Sequence, residues 1–166
     1  MRFGIMAMQL EALVPQGVPA EQIMASIMSF DHAGLAKNLF DKGFNPIELG
    51  GDLGMFLPNV YSPESVERLA ALRSDGLSYT LHLPLWSVEP STPLTPVRKG
   101  SVEAVVNAIK ATHPIEPEVC VLHATGALAA EFYNMKISEI ARTLILRQFQ
   151  NGARESIRAI LAETGL

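Results

Sequence analysis

Leu77, Tyr79, Leu81 and Leu83 alternate with Ser78, Thr80 and His82, and a period of two puts the two sets on opposite faces of a strand. Short runs of the same kind stand at "RFGIMAM", "FNPIELGG" and "EVCVLH". Between them the apolar spacing lengthens to that of a helix. Helical spacing runs from about Gln22 to Lys42 and stops at Gly43, a residue that tolerates the positive φ of a C-terminal cap. In "SPESVERLAALRSDG", Ser62 can cap free amides, Pro63 suits the first turn and Glu64 complements the dipole. Val66, Leu69, Ala70 and Leu72 then form one apolar stripe before Gly76 closes the helix. Another helix, from about Ser101 to Ala111, carries Val102, Val105, Val106 and Ile109 inward. A final helical region extends from about Ser138 to a cap at Gly165, with a break near Gly152. The strands begin near residues 2, 45, 77 and 118, and this alternation of strand and helix predicts an α/β fold of four βα units with a parallel sheet. No motif recurs at a fixed period, which argues against a solenoid.

The two faces of each strand are used differently. Ile47 and Leu49 bracket Glu48, while Cys120 and Leu122 alternate with Val119, Val121 and His123. Glu48, His82 and His123 thus lie opposite the more apolar face, each near the carboxyl end of its strand. In parallel α/β proteins that edge is where sites are built. Taken alone, each of these three residues is compatible with a hydrogen-bonded structural role or with a place in a pocket. His32, inside the first helix, and His113, at a helix end before Pro114, read as structural. Met6, Met8, Met24 and Met28 read as core filler.

Composition sets the class. A chain of 166 residues that is 48% apolar and 18% charged is expected to fold as a single domain spanning residues 1–166. The net charge of −4 comes without any basic tract interleaved with aromatics, so nucleic acid is not a favoured partner. Cys120 is the lone cysteine; it cannot form an intramolecular disulfide, and in a core strand it behaves as a small hydrophobe of a reducing compartment. The opening "MRFGIMAMQL", followed at once by Glu11, is too weak for a signal peptide or a membrane span. A cytoplasmic location without membrane association is the expectation. No Gly-rich nucleotide loop, Ser-His-Asp order or CxxC pair is present.

"TLHLPLW", then "TPVRKGSVEAVVNAIKA", then "VCVLHATG" together resemble the xylose-isomerase-like TIM-barrel superfamily, which includes sugar-phosphate isomerases and epimerases and the endonuclease IV branch. "MRFGIMAM" and the join "AKNLFDKGFNPIELGG" resemble it too, so the resemblance spans the chain. It implies four βα units of a (β/α)8 barrel, equivalent to its N-terminal half and incomplete at the C-terminus. Histidines ending the third and fourth strands are metal ligands in the endonuclease IV branch, which maps that role onto His82 and His123. In isomerase-type members the same two positions contact substrate instead. The implied cofactor is a divalent metal, Zn, Mn or Mg, and the implied ligand a sugar or sugar phosphate.

Such a metal-dependent isomerase or epimerase polarises substrate oxygens with the ion while a carboxylate moves the proton on the adjacent carbon. By the resemblance that base is a glutamate beyond Leu166, so the chain carries only part of the expected site. "HATG" also departs from the proline and glycine that often follow the fourth-strand histidine. Glu48, Trp86 and Arg98 complete the substrate-binding candidates. Trp86, in the proline-rich loop "PLWSVEPSTPLTP", suits a stacking lid or a packed loop. Arg98 and Lys99 precede Ser101, the expected N-cap, where a phosphate could meet cations and free amides or the charges could simply be solvated. The alternatives are a metal-dependent phosphodiester hydrolase of the endonuclease IV type and a non-catalytic half-barrel that serves as an oligomerisation module. Four strands leave two edges open, so self-association or pairing with a missing C-terminal half is expected.

Overall fold

The computed structural model describes residues 2–7, 17–55, 57 and 59–166. They fall into two compact units interleaved in sequence, one comprising Met1–His82 with Ala111–Val121 and the other Leu83–Lys110 with Leu122–Leu166. Six α-helices and four strands are present among the described residues, and no described helix is long and apolar enough to cross a membrane.

The first unit holds the sheet. Strands β1 (Ile5–Met6), β2 (Ile47–Gly50), β3 (Tyr79–His82) and β4 (Val119–Val121) lie in that order, and each neighbouring pair is parallel. Ile5, Ile47 and Tyr79 share one register row, and Leu49, Leu81 and Cys120 share another. Ile47, Leu49, Tyr79 and Leu81 are completely buried, so the apolar face anticipated from the alternation is the covered one. Helices α1 (Ala20–Met28), α2 (His32–Asp41) and α3 (Pro63–Ala71) belong to this unit. Helix α3 has the anticipated start: Ser62 Oγ accepts from Ser65 N, Pro63 opens the first turn, and Val66 and Leu69 are buried. After Ala71 the chain tightens into a 3-10 turn, Leu72–Asp75, and stops at Gly76 with φ 95°. The Tyr79 hydroxyl donates to Leu69 O at 2.9 Å, tying α3 to the sheet.

The helix expected from Gln22 to Lys42 is in fact two. The Ser29 hydroxyl donates to Ala25 O at 2.8 Å, and the Asp31 carboxylate accepts from Gly34 N at 2.9 Å. The Asp31 side chain thus takes the amide that a continuous helix would bond to Phe30 O, capping the second helix, while the Ser29 hydroxyl joins Ser29 N on the Ala25 carbonyl at the end of the first. Helix α1 has no buried residue, and Met24 and Met28 are exposed; the reading of these methionines as core filler is corrected. Met8 lies outside the described residues.

The amino-terminal end of the sheet is held by polar side chains. Asn45 Nδ2 donates to Gly76 O at 3.0 Å, and Asn45 Oδ1 accepts from Ser78 N at 3.0 Å and from Ser78 Oγ at 2.8 Å. The Arg2 guanidinium donates to both oxygens of Glu118 at 3.1 Å and to Ser78 Oγ at 3.2 Å. This end of a parallel sheet serves stability.

In the second unit, helices α4 (Thr95–Thr112), α5 (Ala127–Asn134) and α6 (Glu139–Thr164) accompany the loop after β3; the last two residues of α4 belong to the first unit. Helix α4 begins six residues before Ser101, which is therefore no N-cap: its hydroxyl lies within the helix, donating to Val97 O at 2.9 Å and accepting from Glu89 N at 2.9 Å. Ser156 Oγ donates to Pro90 O at 2.6 Å, and Gly126 N donates to Glu89 Oε1 at 2.8 Å. The loop is thereby pinned from three helical segments. Helix α6 runs unbroken through Gly152 to the left-handed cap at Gly165, φ 73°. Gly152 is a contact point rather than a break, since a Cβ there would lie 2.5 Å from Ser91 O. Gly152→Ala should destabilise the protein by about 1–3 kcal/mol through overpacking against backbone, read as a lower melting temperature.

Candidate functional site

Residues opposite the buried sheet face define the site. Met6, Glu48, Thr80 and Val119 form one register row, and Gly50, His82 and Val121 form the next toward the carboxyl ends. Alternation in β2 and β3 forces Glu48, Thr80 and His82 onto this face once Ile47, Leu49, Tyr79 and Leu81 have turned to the core. Glu48, Thr80 and His82 are half-buried, and Val119 is 53% exposed. A cavity of about 270 Å³ opens beside the first row, lined by Gly4, Ile5, Met6, Pro46, Glu48 and Thr80. The Thr80 hydroxyl donates to Glu48 Oε2 over a long 3.4 Å. A carboxylate held this loosely retains acceptor capacity for a ligand hydroxyl. His82 is the register partner of Gly50.

The remaining candidates lie in the second unit. His123 is exposed, two residues past the end of β4, and Trp86 is exposed on the loop after β3. Arg98 lies inside α4, where it donates to Thr92 O at 3.0 Å and pairs with Glu155 at 2.7 Å. It lines a groove of about 640 Å³ with Lys99, Asn107, Lys110, Glu155 and Glu163. The anticipated phosphate cradle of Arg98, Lys99 and amides freed at Ser101 is corrected, because those amides are within the helix. Cys120 is half-buried rather than in the core, and its burial raises the thiol pKa.

A divalent metal needs several converging donors, four in a typical zinc site. Among the described residues no group of three or more His, Cys, Asp and Glu side chains comes together in that way. Glu48 and His82 are the donor residues of the open face in β2 and β3, and they do not make up a ligand set by themselves. Thr80 was legible as a polar-face residue, but its place beside Glu48 required the register. His32 is at odds with a simple structural reading. It is 1% exposed, packs its ring 5.7 Å from Phe30 and 5.6 Å from Tyr61, and offers neither ring nitrogen a hydrogen bond of good geometry. Burial lowers its pKa to about 4, with the nearby Val60 backbone and Asp31 opposing the shift.

The chain is similar along 99% of its length to a solved structure described as a D-tagatose 3-epimerase-like protein, with a TM-score of 0.61. It has the fold of four βα units of a TIM barrel. The two sequences are 19% identical, and the chain spans 49% of that protein's length. No family model and no curated protein matches the sequence. The fold implied by "TLHLPLW" and "VCVLHATG" is therefore present, with β3 and β4 where those motifs place them.

Proposed function

We propose that this chain is part of a sugar or sugar-phosphate isomerase or epimerase of the xylose-isomerase-like group. The observation that carries the reading is the whole-length fold match to an epimerase-like protein; the placement of Glu48 and His82 on the open face toward the carboxyl ends of β2 and β3 accords with it. Glu48 accepts hydrogen bonds from sugar hydroxyls, and the His82 imidazole orients the ligand through a ring nitrogen. The reading calls for a divalent ion of the Zn, Mn or Mg type, which would polarise substrate oxygens. One chain's described donors do not complete its ligand set, so no catalytic step is assigned through the ion, and the proton-transferring base is not among the residues named here.

Calorimetric titration with a ketohexose or its phosphate, with and without Mn²⁺, tests the assignment. His82→Ala or Glu48→Gln should weaken binding by about tenfold or more, the loss expected when hydrogen bonds to a charged or strongly polar partner disappear. Both variants should melt close to the parent, because the two residues lie outside the buried core. Undiminished binding combined with a large fall in melting temperature would favour a structural role.

A further inference from the structure

We propose that Glu89 is a positioning residue: its carboxylate clamps residues 123–126 to the loop that follows β3, and so places His123 for contact with the ligand.

Every group of the clamp lies in the second unit. Glu89 Oε1 accepts from Gly126 N at 2.8 Å and from the Ser91 hydroxyl at 2.5 Å. Gly126 is the N-cap residue of α5 and has no side chain with which to cap the helix itself. A carboxylate from 37 positions earlier takes the amide instead, at the helix end where negative charge is favourable. Gly126 has φ −89° and ψ −166°, extended backbone that other residues also adopt, so the turn does not call for glycine. Contact does: a Cβ on Gly126 would collide with Glu89 Oε2.

Glu89 is itself held in place. Its N–H donates to Ser101 Oγ of α4 at 2.9 Å, its carbonyl accepts from Thr92 N at 3.1 Å, and the carbonyl of the next residue, Pro90, accepts from Ser156 Oγ of α6 at 2.6 Å. Ser91 and Thr92 are buried. A side chain whose backbone is tied to two long helices is a fixed post, and support of this kind is what precise site geometry requires. His123 is exposed and stands three residues before Gly126, so whatever fixes the start of α5 also restricts His123. It follows the carboxyl end of β4, the edge at which parallel α/β proteins bind ligands. The ligand contact of His123 rests on the sugar-epimerase reading; the clamp does not.

Glu89→Ala removes the clamp, whereas Glu89→Gln keeps an oxygen for Gly126 N and is the conservative rescue. Gly126→Ala reaches the same point from the other side, since its Cβ drives the Glu89 carboxylate away. In ligand-free protein, NMR of the four histidine rings should show the His123 signals shifted or broadened in Glu89→Ala and Gly126→Ala, with those of His32 and His113 unmoved and Glu89→Gln like the parent. Either disrupting variant, once folded by circular dichroism, suffices for the comparison. Calorimetric titration with D-fructose or a fructose phosphate in the presence of Mn²⁺ should give about tenfold weaker binding in the disrupting variants and parent-like binding in Glu89→Gln. His123 signals that stay put in a folded disrupting variant overturn the clamp, as does a Glu89→Gln protein as impaired as Glu89→Ala. Signals that move while affinity holds support the clamp and overturn the ligand contact. A parent that binds neither sugar, with His123 still responding, supports the clamp and removes the sugar-epimerase reading.

Discussion

Lowering the pH from 7 to about 4 should cost the protein about 3 kcal/mol of stability through His32 alone. In the folded state burial holds this imidazole neutral down to about pH 4, against an ordinary value of 6.5. The unfolded chain takes up a proton at His32 as the pH falls below 6.5, and the folded chain does not until about pH 4. Within that window the unfolded state binds more protons, so stability is full above pH 6.5 and declines steadily toward pH 4. Each pKa unit of difference is worth about 1.4 kcal/mol, which gives the magnitude. Urea melts at pH 7, 5.5 and 4.5 measure it, with His32→Phe as the reference. That variant should lose most of the slope across the window and be at least as stable as the parent at pH 7, because two buried nitrogens without good hydrogen bonds are removed. Asp31, whose pKa is lowered by Arg68 and by Gly34 N, also loses stability as it protonates, but below the His32 window and from an exposed position. Equal slopes in parent and variant would show that His32 is not the titrating group.

Leu81→Ala should destabilise the protein by about 2–5 kcal/mol, a large share of the 5–15 kcal/mol typical of a domain. Leu81 is 0% exposed and sits in the third strand between Leu49 and Cys120 of its neighbours. The helices covering this face cannot sink into the space left by a lost isobutyl group without moving their backbones, so part of the cavity would persist. The matching control is Val119→Ala on the opposite face. At 53% exposure it should change the stability of the single chain by no more than about 0.5 kcal/mol. Thermal or denaturant melts of the two variants at neutral pH make the comparison. A similar cost at both positions would mean that the two sheet faces are not covered as described.

Most features that depend on residues close in sequence were legible before the structure. The start of α3 is an example: Ser62, Pro63 and Glu64 act on their own helix, and Ser62 Oγ accepts from Ser65 N as expected. Asp31 and Gly34 also form a local cap, so the division between α1 and α2 could have been read from "SFDHAG"; the continuous apolar spacing on either side obscured it. The candidate site was partly legible. Alternation alone put Glu48 and His82 on one face, and the register rows agree. Thr80 joined Glu48 only once the register was known, and the length of α4 removed the expected cap at Ser101.

The sequence by itself determined the order of strands and helices, the parallel α/β class, the apolar set Leu77, Tyr79, Leu81 and Leu83, and the caps at Ser62, Gly76 and Gly165, because period and capping act over a few residues. Tertiary structure decided the rest. Gly152 lies within a continuous helix, and the position suits glycine because the Ser91 carbonyl, 61 positions earlier, packs where a side chain would stand. Met24 and Met28 are exposed because α1 buries none of its residues, which no local pattern encodes. His32 is buried among Phe30, Val60 and Tyr61, and its low pKa follows from the dielectric of that environment rather than from its neighbours in sequence. Hydrophobic burial is non-directional and proportional to area, so it selects which residues can go inside, while only the packed chain settles which of them do.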